Sequence, residues 1–470
     1  MRFIIRRPSS CDRRSYSSRR RSGSARQHFL QRAKYTHWKA TWQRAGTHSE
    51  RFLCNEPRRL LDSPHPHDLS TPVIDAAASR RALTEHIRER AYALGFDLVR
   101  VTSAEPFSET ERILHERIGA GLMGGLDWFT AERASVSANP RTLLPTARSV
   151  LALGTFYLTD APRDETTPGD PHGRVSSYAW GDDYHEVIRR RLDALADEIR
   201  ALAPPGQEKS IVFVDTGRMV DRAVAQRSGL GWYGKNTCIL TKGWGSWVFL
   251  SEVVTSLDLE PDPPLGANCG QCEICLHACP TGAFVAPYVL DNRRCISYLT
   301  IELRGSIPIE LRPLIGNHIF GCDICQQVCP VNAVAERRLR AREELGAKGR
   351  RLEFQPRTSD GSSPALIPLL ALDEDGFRER FRHSPIKRAK RRGLLRNVCV
   401  ALGNIGDPVA VPALIRALED AEPLVRGHAA WALGRIGGVE ARTALNNALE
   451  REQDENVLQE LRYALTLLGG

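Results

Sequence analysis

The sequence predicts an α+β chain of three folded parts, and three observations carry that reading. Apolar strand-like runs alternate with amphipathic helical stretches as far as about residue 265. Eight of the twelve cysteines then fall within 61 residues, from Cys269 to Cys329. Near the C-terminus a six-residue block closed by glycine recurs at a spacing of 31. A length of 470 residues leaves room for two to four domains with buried cores. The boundaries expected are a basic extension over 1–75, an α/β domain over 76–265, a cysteine-rich domain over 266–335, a basic connector over 336–395 and helical repeats over 396–470. No run of 18 or more apolar residues occurs, so no membrane-spanning helix is expected.

The formal net charge of +9 is unevenly spread. Residues 1–50 hold 13 Lys/Arg and two acids, a charge of +11, which leaves −2 for the other 420 residues. This extension is Arg- and Ser-rich (Arg13, Arg14, Arg19, Arg20, Arg21) and lacks apolar periodicity. Such a composition buries too little surface to fold. A transit-like peptide, a nucleic-acid-binding tail and sequence upstream of the true start all share it. It reads as a disordered, dispensable extension.

Arg80 to Ala93 has the spacing of an amphipathic helix and leads to the run Phe96 to Val101. Ser149 to Gly154, Ser210 to Val214 and Trp247 to Leu250 read as strands. Asp183 to Arg200 is a helix with the stripe Val187, Leu192, Leu195 and Ile199. Gly229-Leu230-Gly231-Trp232-Tyr233-Gly234 matches a dinucleotide fingerprint, but it follows the helical stretch Asp221 to Arg227 rather than a strand, so the glycines turn the chain. Asp215 ends the strand Ile211 to Val214 and has two readings: cap of the following helix, or a strand-end carboxylate whose pKa a bulky apolar cofactor raises until it donates a proton.

The cysteines form Cys269-x2-Cys272-x2-Cys275-x3-Cys279-Pro280, then Cys295, then Cys322-x2-Cys325-x3-Cys329-Pro330. Zinc prefers two separated Cys-x2-Cys pairs, and a disulfide framework suits small secreted chains. A triplet with a crossing fourth thiolate is instead the spacing of two 4Fe–4S clusters. Cys269, Cys272, Cys275 and Cys329 are expected to hold one, and Cys279, Cys295, Cys322 and Cys325 the other. Cys11, Cys54, Cys238 and Cys399 remain as free thiols. Clusters of this kind point to a reducing compartment, the cytoplasm.

At the C-terminus Ala401-Leu402-Gly403-Asn404-Ile405-Gly406 recurs as Ala432-Leu433-Gly434-Arg435-Ile436-Gly437, and Ala464 to Gly469 follows. These are apolar helices closed by glycine, as in HEAT-like stacks. Just before them, residues 380–396 carry eight Lys/Arg and no acid. A solvated linker and a phosphate-backbone contact are both consistent with that run; within a body of −2 the contact is preferred.

Several stretches together resemble the epoxyqueuosine reductases, cobalamin-dependent iron–sulfur enzymes of tRNA modification. They are Tyr178 to His185, Val214-Asp215-Thr216-Gly217 with Asp221-Arg222-Ala223, Gly229 to Asn236, Arg294 to Glu302, and Gly321 to Gln326. The resemblance covers about residues 80–470. It implies removal of the epoxide oxygen of epoxyqueuosine at the wobble position of tRNA, the last step of queuosine biosynthesis. Electrons would pass from an external donor through both clusters to cobalamin, with Asp215 as general acid. It also implies cobalamin contacts at Asp215, Ser176, Ile239, Leu250, Ser297, Asp323 and Ile324. Contacts to the tRNA anticodon stem-loop would fall on Arg222, Arg304, Arg388, Lys390, Arg391 and Arg392, in a monomer. Ser177 and Ser137 stand where many members carry arginine, and Arg218 where many carry proline. A small-molecule reductase related to reductive dehalogenases, and a ferredoxin-like electron carrier, are the alternatives.

Overall fold

A computed structural model describes residues 76–159, 164–206, 208–344, 352–356 and 361–469, all within a compact unit that begins at Val73. The expectation for residues 1–75, with Cys11 and Cys54, lies outside the described residues. No described helix is long and apolar enough to cross a membrane.

Helix α1 (Ala76–Ala93) leads into strand β1 (Leu98–Ser103), and helices α2 (Ser108–Gly119) and α3 (Ala131–Ser137) separate it from β2 (Ser149–Phe156). Then come α4 (Tyr184–Leu202), β3 (Ser210–Val214), α5 (Asp221–Arg227) and β4 (Val248–Thr255). The sheet order is β1-β2-β4-β3, and every pairing is antiparallel. This corrects the α/β expectation for the domain while leaving the chain α+β. Alternation along the sequence reports the order of elements, not the direction of strands. All eight residues of β2 are buried, because helices cover both faces of the sheet; an antiparallel strand then reads as the same continuous apolar run as a parallel one.

Strand alternation sorts the core. Leu151, Leu153, Phe249 and Val253 meet Ile188, Leu192, Leu195 and Ile199 of α4. On the other face Val150, Ala152 and Val254 meet Ala223, Val224 and Ala225 of α5. Each large aliphatic side chain buried here contributes about 1.5–3 kcal/mol. The Gly229–Gly234 stretch follows α5, with Gly229 at φ +72°, and runs into a small ribbon pairing Trp232–Tyr233 with Ile239–Leu240. It is not a strand-to-helix phosphate turn.

The cysteine-rich part carries helices α6 (Ile274–Ala278), α7 (Ile296–Ile301), α8 (Ile324–Gln327) and α9 (Pro330–Glu344). Its strand His318–Phe320 pairs in parallel with Arg174–Val175, so it is joined to the first domain by backbone as well as side chains. The repeats are α10 (Lys390–Ile405), α11 (Val411–Ala417), α12 (Pro423–Ile436), α13 (Val439–Arg451) and α14 (Glu455–Leu467). The two glycines of each block have separate jobs. A Cβ at Gly403 would lie 2.7 Å from Trp431 and 2.9 Å from the Ala432 Cα, and one at Gly434 would lie 2.8 Å from the Ala464 Cα. The first glycine therefore lets helices touch, and the second ends the helix.

The stretch expected as a basic connector is packed where it is described: Leu366 and Phe377 are buried, and Gly173 N donates to Pro364 O at 2.9 Å. Its last residues belong to α10. Arg396 is fully buried and donates to Leu299 O, Leu303 O and Gly305 O at 2.6–2.8 Å. Asn397 donates to Thr300 O and Ile319 O, both at 2.8 Å. The first repeat helix is thus hydrogen-bonded directly to α7, which follows Cys295.

Candidate functional site

β3 ends at Val214, and the next residue leaves the sheet in a left-handed turn. Asp215 has φ +49°, and Thr216 N donates to Val214 O at 2.5 Å across it. Aspartate is among the few residues that enter this region readily. The helix after it starts only at Asp221, with Val220 at its N-cap position, so Asp215 caps nothing and the capping role is ruled out. Its side chain is 60% exposed by area, with protein packed closely on the inner side.

Asp215 is the open end of a hydrogen-bonded row. Tyr184 Oη donates to Asp215 Oδ2 at 2.5 Å, and His185 Nε2 lies 3.5 Å from the same oxygen. His185 Nδ1 is 2.8 Å from Asp183 Oδ1, and Lys387 Nζ is 2.7 Å from Asp183 Oδ2. Burial works against charge on His185, but the hydrogen bonds and charges of Asp183 and Asp215 win and raise it to about 9. For Asp215, crowding by protein pushes the pKa up; hydrogen bonds from His185 and Tyr184, with the charges of His185 and Arg222, outweigh that and leave it below its usual range. The sequence predicts a raised pKa for Asp215; the structure lowers it and raises that of His185 instead. Beneath the turn, Asp221 and Glu252 are buried beside each other, and burial pushes both carboxyls upward.

Sequence reasoning missed Asp183, Tyr184, His185 and Lys387 as a group. The first three were read as the start of a helix, which they are: Asp183 caps α4 by accepting from His185 N. The first turn of α4 lies at the edge of the sheet where β3 ends, which the pattern of α4 alone does not reveal.

The eight cluster thiols fall into two sets. Burial first, and then Cys329, Cys269 and Cys272, push Cys275 up to about 11. Burial, Cys295 and Cys279 push Cys322 upward, and Cys325 is raised by its contact with Cys238, by burial, and by Cys322 and Cys295. The thiols that feel one another are thus Cys269, Cys272, Cys275 and Cys329 in one place and Cys279, Cys295, Cys322 and Cys325 in another. Among the described residues no three His, Cys, Asp or Glu side chains are placed to hold a single metal ion; in a cube each thiolate binds a different iron. Cys272 is the exposed member, and Cys399 is buried in α10. Cys238 is not isolated, since it hydrogen-bonds Cys325.

Among the residues expected at cobalamin, Asp323 is engaged within the protein. Ser176 Oγ donates to its Oδ1 at 2.5 Å, and Ser177 N and Oγ donate to its Oδ2 at 2.7 and 2.6 Å. Ser177, where arginine is common, thus has a partner of its own. Ile239 is buried in the α5 core. Leu250 and Ile324 are partly buried, and Ser297 hydrogen-bonds the Cys295 thiol.

The basic residues also divide. Arg391 is paired with Asp420, both nearly buried, and belongs to the packing of the repeats rather than to an open face. Arg388 pairs with Glu302, and Arg304 Nη1 donates to Arg388 O at 2.9 Å. Arg392 stands 4.0 Å from Glu422. Lys390 and Arg222 are exposed.

Three family models match: "4Fe-4S double cluster binding domain" over residues 268–332, "Epoxyqueuosine reductase QueG, DUF1730" over 138–216 and "HEAT repeats" over 387–466. The chain is 37% identical over 393 residues to an epoxyqueuosine reductase of Bacillus subtilis, covering 82% of this chain and 96% of that one. It is 40% identical over 362 residues to one from Xanthomonas campestris, covering 75% and 95%. An epoxyqueuosine reductase structure with an epoxyqueuosine-modified tRNA-Tyr stem loop superposes with a TM-score of 0.74 at 36% identity, over 83% of this chain and 99% of that one. A Bacillus subtilis structure, with an aspartate-bearing catalytic loop swung out of the active site, superposes at 0.73 with 35% identity, over 82% and 99%. By sequence along four-fifths of its length and by fold, the chain belongs to the epoxyqueuosine reductases.

Proposed function

We propose that this chain reduces epoxyqueuosine in tRNA to queuosine, with Asp215 as the group that delivers a proton to the departing oxygen. The observation that carries this is the Asp215 turn. A carboxylate is held in a left-handed conformation, open on one side and joined to a tyrosine and a protonated histidine on the other. The reaction takes two electrons and two protons: two C–O bonds break, a C=C bond forms and water leaves. His185, raised against burial to about 9 by its two carboxylate neighbours, places Nε2 3.5 Å from Asp215 Oδ2. Tyr184 Oη donates to the same oxygen at 2.5 Å and keeps its proton, because burial and the Asp215 charge hold its pKa high. Asp215 can therefore take up a proton from His185 after each transfer, with Tyr184 holding the carboxylate in place.

The residues present fit the cofactors. The two four-thiolate sets suit two 4Fe–4S clusters. The partly exposed apolar side chains Leu250 and Ile324, with Ser176 and Ser297, would flank cobalamin beside Asp215. These groups supply low-potential single-electron transfer and a low-valent cobalt centre. Lys390, Arg388, Arg392, Arg304 and Arg222 would meet tRNA phosphates.

The test is anaerobic reconstitution with iron, sulfide and cobalamin, then reaction with epoxyqueuosine-containing tRNA and a chemical reductant. Nucleoside mass spectrometry should show conversion to queuosine that depends on cobalamin. A fully loaded enzyme that leaves epoxyqueuosine intact overturns the reading.

A further inference from the structure

Trp128 is the most exposed aromatic side chain among the described residues, at 50%, and its surroundings are ordered. The Arg133 guanidinium carbon lies 4.8 Å from its ring centroid, and Phe129 meets it edge-on at 5.6 Å. Arg133 Nη2 also donates to Gly217 O at 3.1 Å, two residues beyond Asp215. At its other end the same loop touches the segment before Cys295: Asn292 N donates to Leu122 O at 3.0 Å and Asn292 Nδ2 to Gly124 O at 3.5 Å. Trp128 therefore stands on a rim between the Asp215 turn and the second set of thiols. Arg218, Arg222, Arg293 and Arg294 are exposed on the two segments that this loop bridges, Arg293 paired with Asp291 and Arg294 donating to Thr281 O, with Asp127 and Glu132 on the loop side.

We propose that Trp128 is a stacking platform for an unpaired base of the tRNA anticodon loop, and that Arg133 couples occupation of the platform to the position of the Asp215 turn. This rests on the tRNA reading above. A single-stranded loop offers base faces that stack on exposed aromatics whatever their sequence, and exposed arginines nearby suit its phosphates. Arginine on one face of the ring leaves the rest of the indole for the base. Any shift of Trp128 then reaches Gly217 through one side chain.

The test uses reconstituted holoenzyme and an epoxyqueuosine-containing anticodon stem-loop, with Trp128→Ala and Trp128→Phe. Trp128→Ala should weaken stem-loop binding, read by anisotropy of a labelled stem-loop, on the order of 5- to 100-fold. The fall in kcat/KM should come mainly from KM, and Trp128→Phe should recover most of it. Arg133→Met should lower kcat as well, and its effect should not add to that of Trp128→Ala. Unchanged stem-loop binding by a folded, loaded Trp128→Ala protein overturns the platform. Loss of cobalamin or iron in both Trp128 variants overturns it too, since the ring would then serve the cofactors or the fold. Failure of the wild type to convert the stem-loop would count against the proposed function instead, and the binding measurement stands apart from it.

Discussion

Asp215 combines an unusual backbone with an ionised side chain, and the two can be separated by substitution. Asparagine enters the left-handed region as readily as aspartate, and its amide oxygen can still accept from Tyr184. Asp215→Asn should therefore stay folded and load its cofactors normally, losing only the part of the His185 stabilisation that the Asp215 charge supplies, on the order of 1 kcal/mol. Its single-turnover conversion of epoxyqueuosine should fall by roughly 10²–10⁴, the range for a positioned proton donor. Near-normal turnover would remove Asp215 from the chemistry. His185 gives a second measurement. Its folded pKa of about 9 lies above an unfolded value of about 6.5. The stability it adds is complete below pH 6.5 and is lost as pH rises to about 9. Chemical denaturation across that window should show wild type losing up to about 3 kcal/mol and His185→Gln losing much less. A flat wild-type profile would mean that the row is not charged as described. Asp215 was legible in the sequence as a strand-end carboxylate. Its turn was not, because the following Thr216-Gly217 suits a helix start as well as a left-handed corner, and the row of partners comes from a helix 30 residues earlier.

At the scale of elements, the repeats show where a simple propensity argument and a packing argument disagree. Alanine is favoured over glycine inside a helix by about 1 kcal/mol. At Gly434, however, a Cβ would lie 2.8 Å from both the Cα and the carbonyl oxygen of Ala464, and backbone cannot yield as a flexible side chain does. Gly434→Ala should thus destabilise by about 1–3 kcal/mol, seen as a lower denaturation midpoint. Gly393 is the control: a Cβ there would meet only Ala389 at 3.9 Å, so Gly393→Ala should hold or raise it. A rise at both positions would show that the helices do not touch at Gly434. The repeat period was readable because each block must place a contact glycine and a closing glycine in the same register. Strand direction in the first domain was not, because both faces of its sheet are covered and nothing in an apolar run marks which way it points.

For the whole molecule, the thiols tie distant segments together, and the tie is open to measurement. Cys269→Ala and Cys329→Ala should remove the same cluster by electron paramagnetic resonance, with Cys279→Ala and Cys295→Ala removing the other. If Cys269→Ala and Cys329→Ala lose spectroscopically distinct clusters, the crossing is wrong. The expectation comes from spacing alone, since the ligand pattern belongs to the cluster rather than to the fold. The basic run was less transparent. Charge could be counted along 380–396, yet Arg391 is held inside by Asp420, and Arg396 by carbonyls of α7 and of the loop after it, partners that sequence distance conceals.

That inward hold on Arg396 and Asn397 makes the repeats a calliper jaw. The five hydrogen bonds from these two residues run from the first repeat helix to the helix after Cys295, to the loop at Leu303 and Gly305 that follows it, and to the strand at Ile319. They fix the span between a cluster ligand and the basic end of α10 as one rigid gauge. In the function proposed above, the place where nucleic acid is gripped would be set against the place where electrons arrive, and a chain cut before α10 would lose the gauge along with the grip.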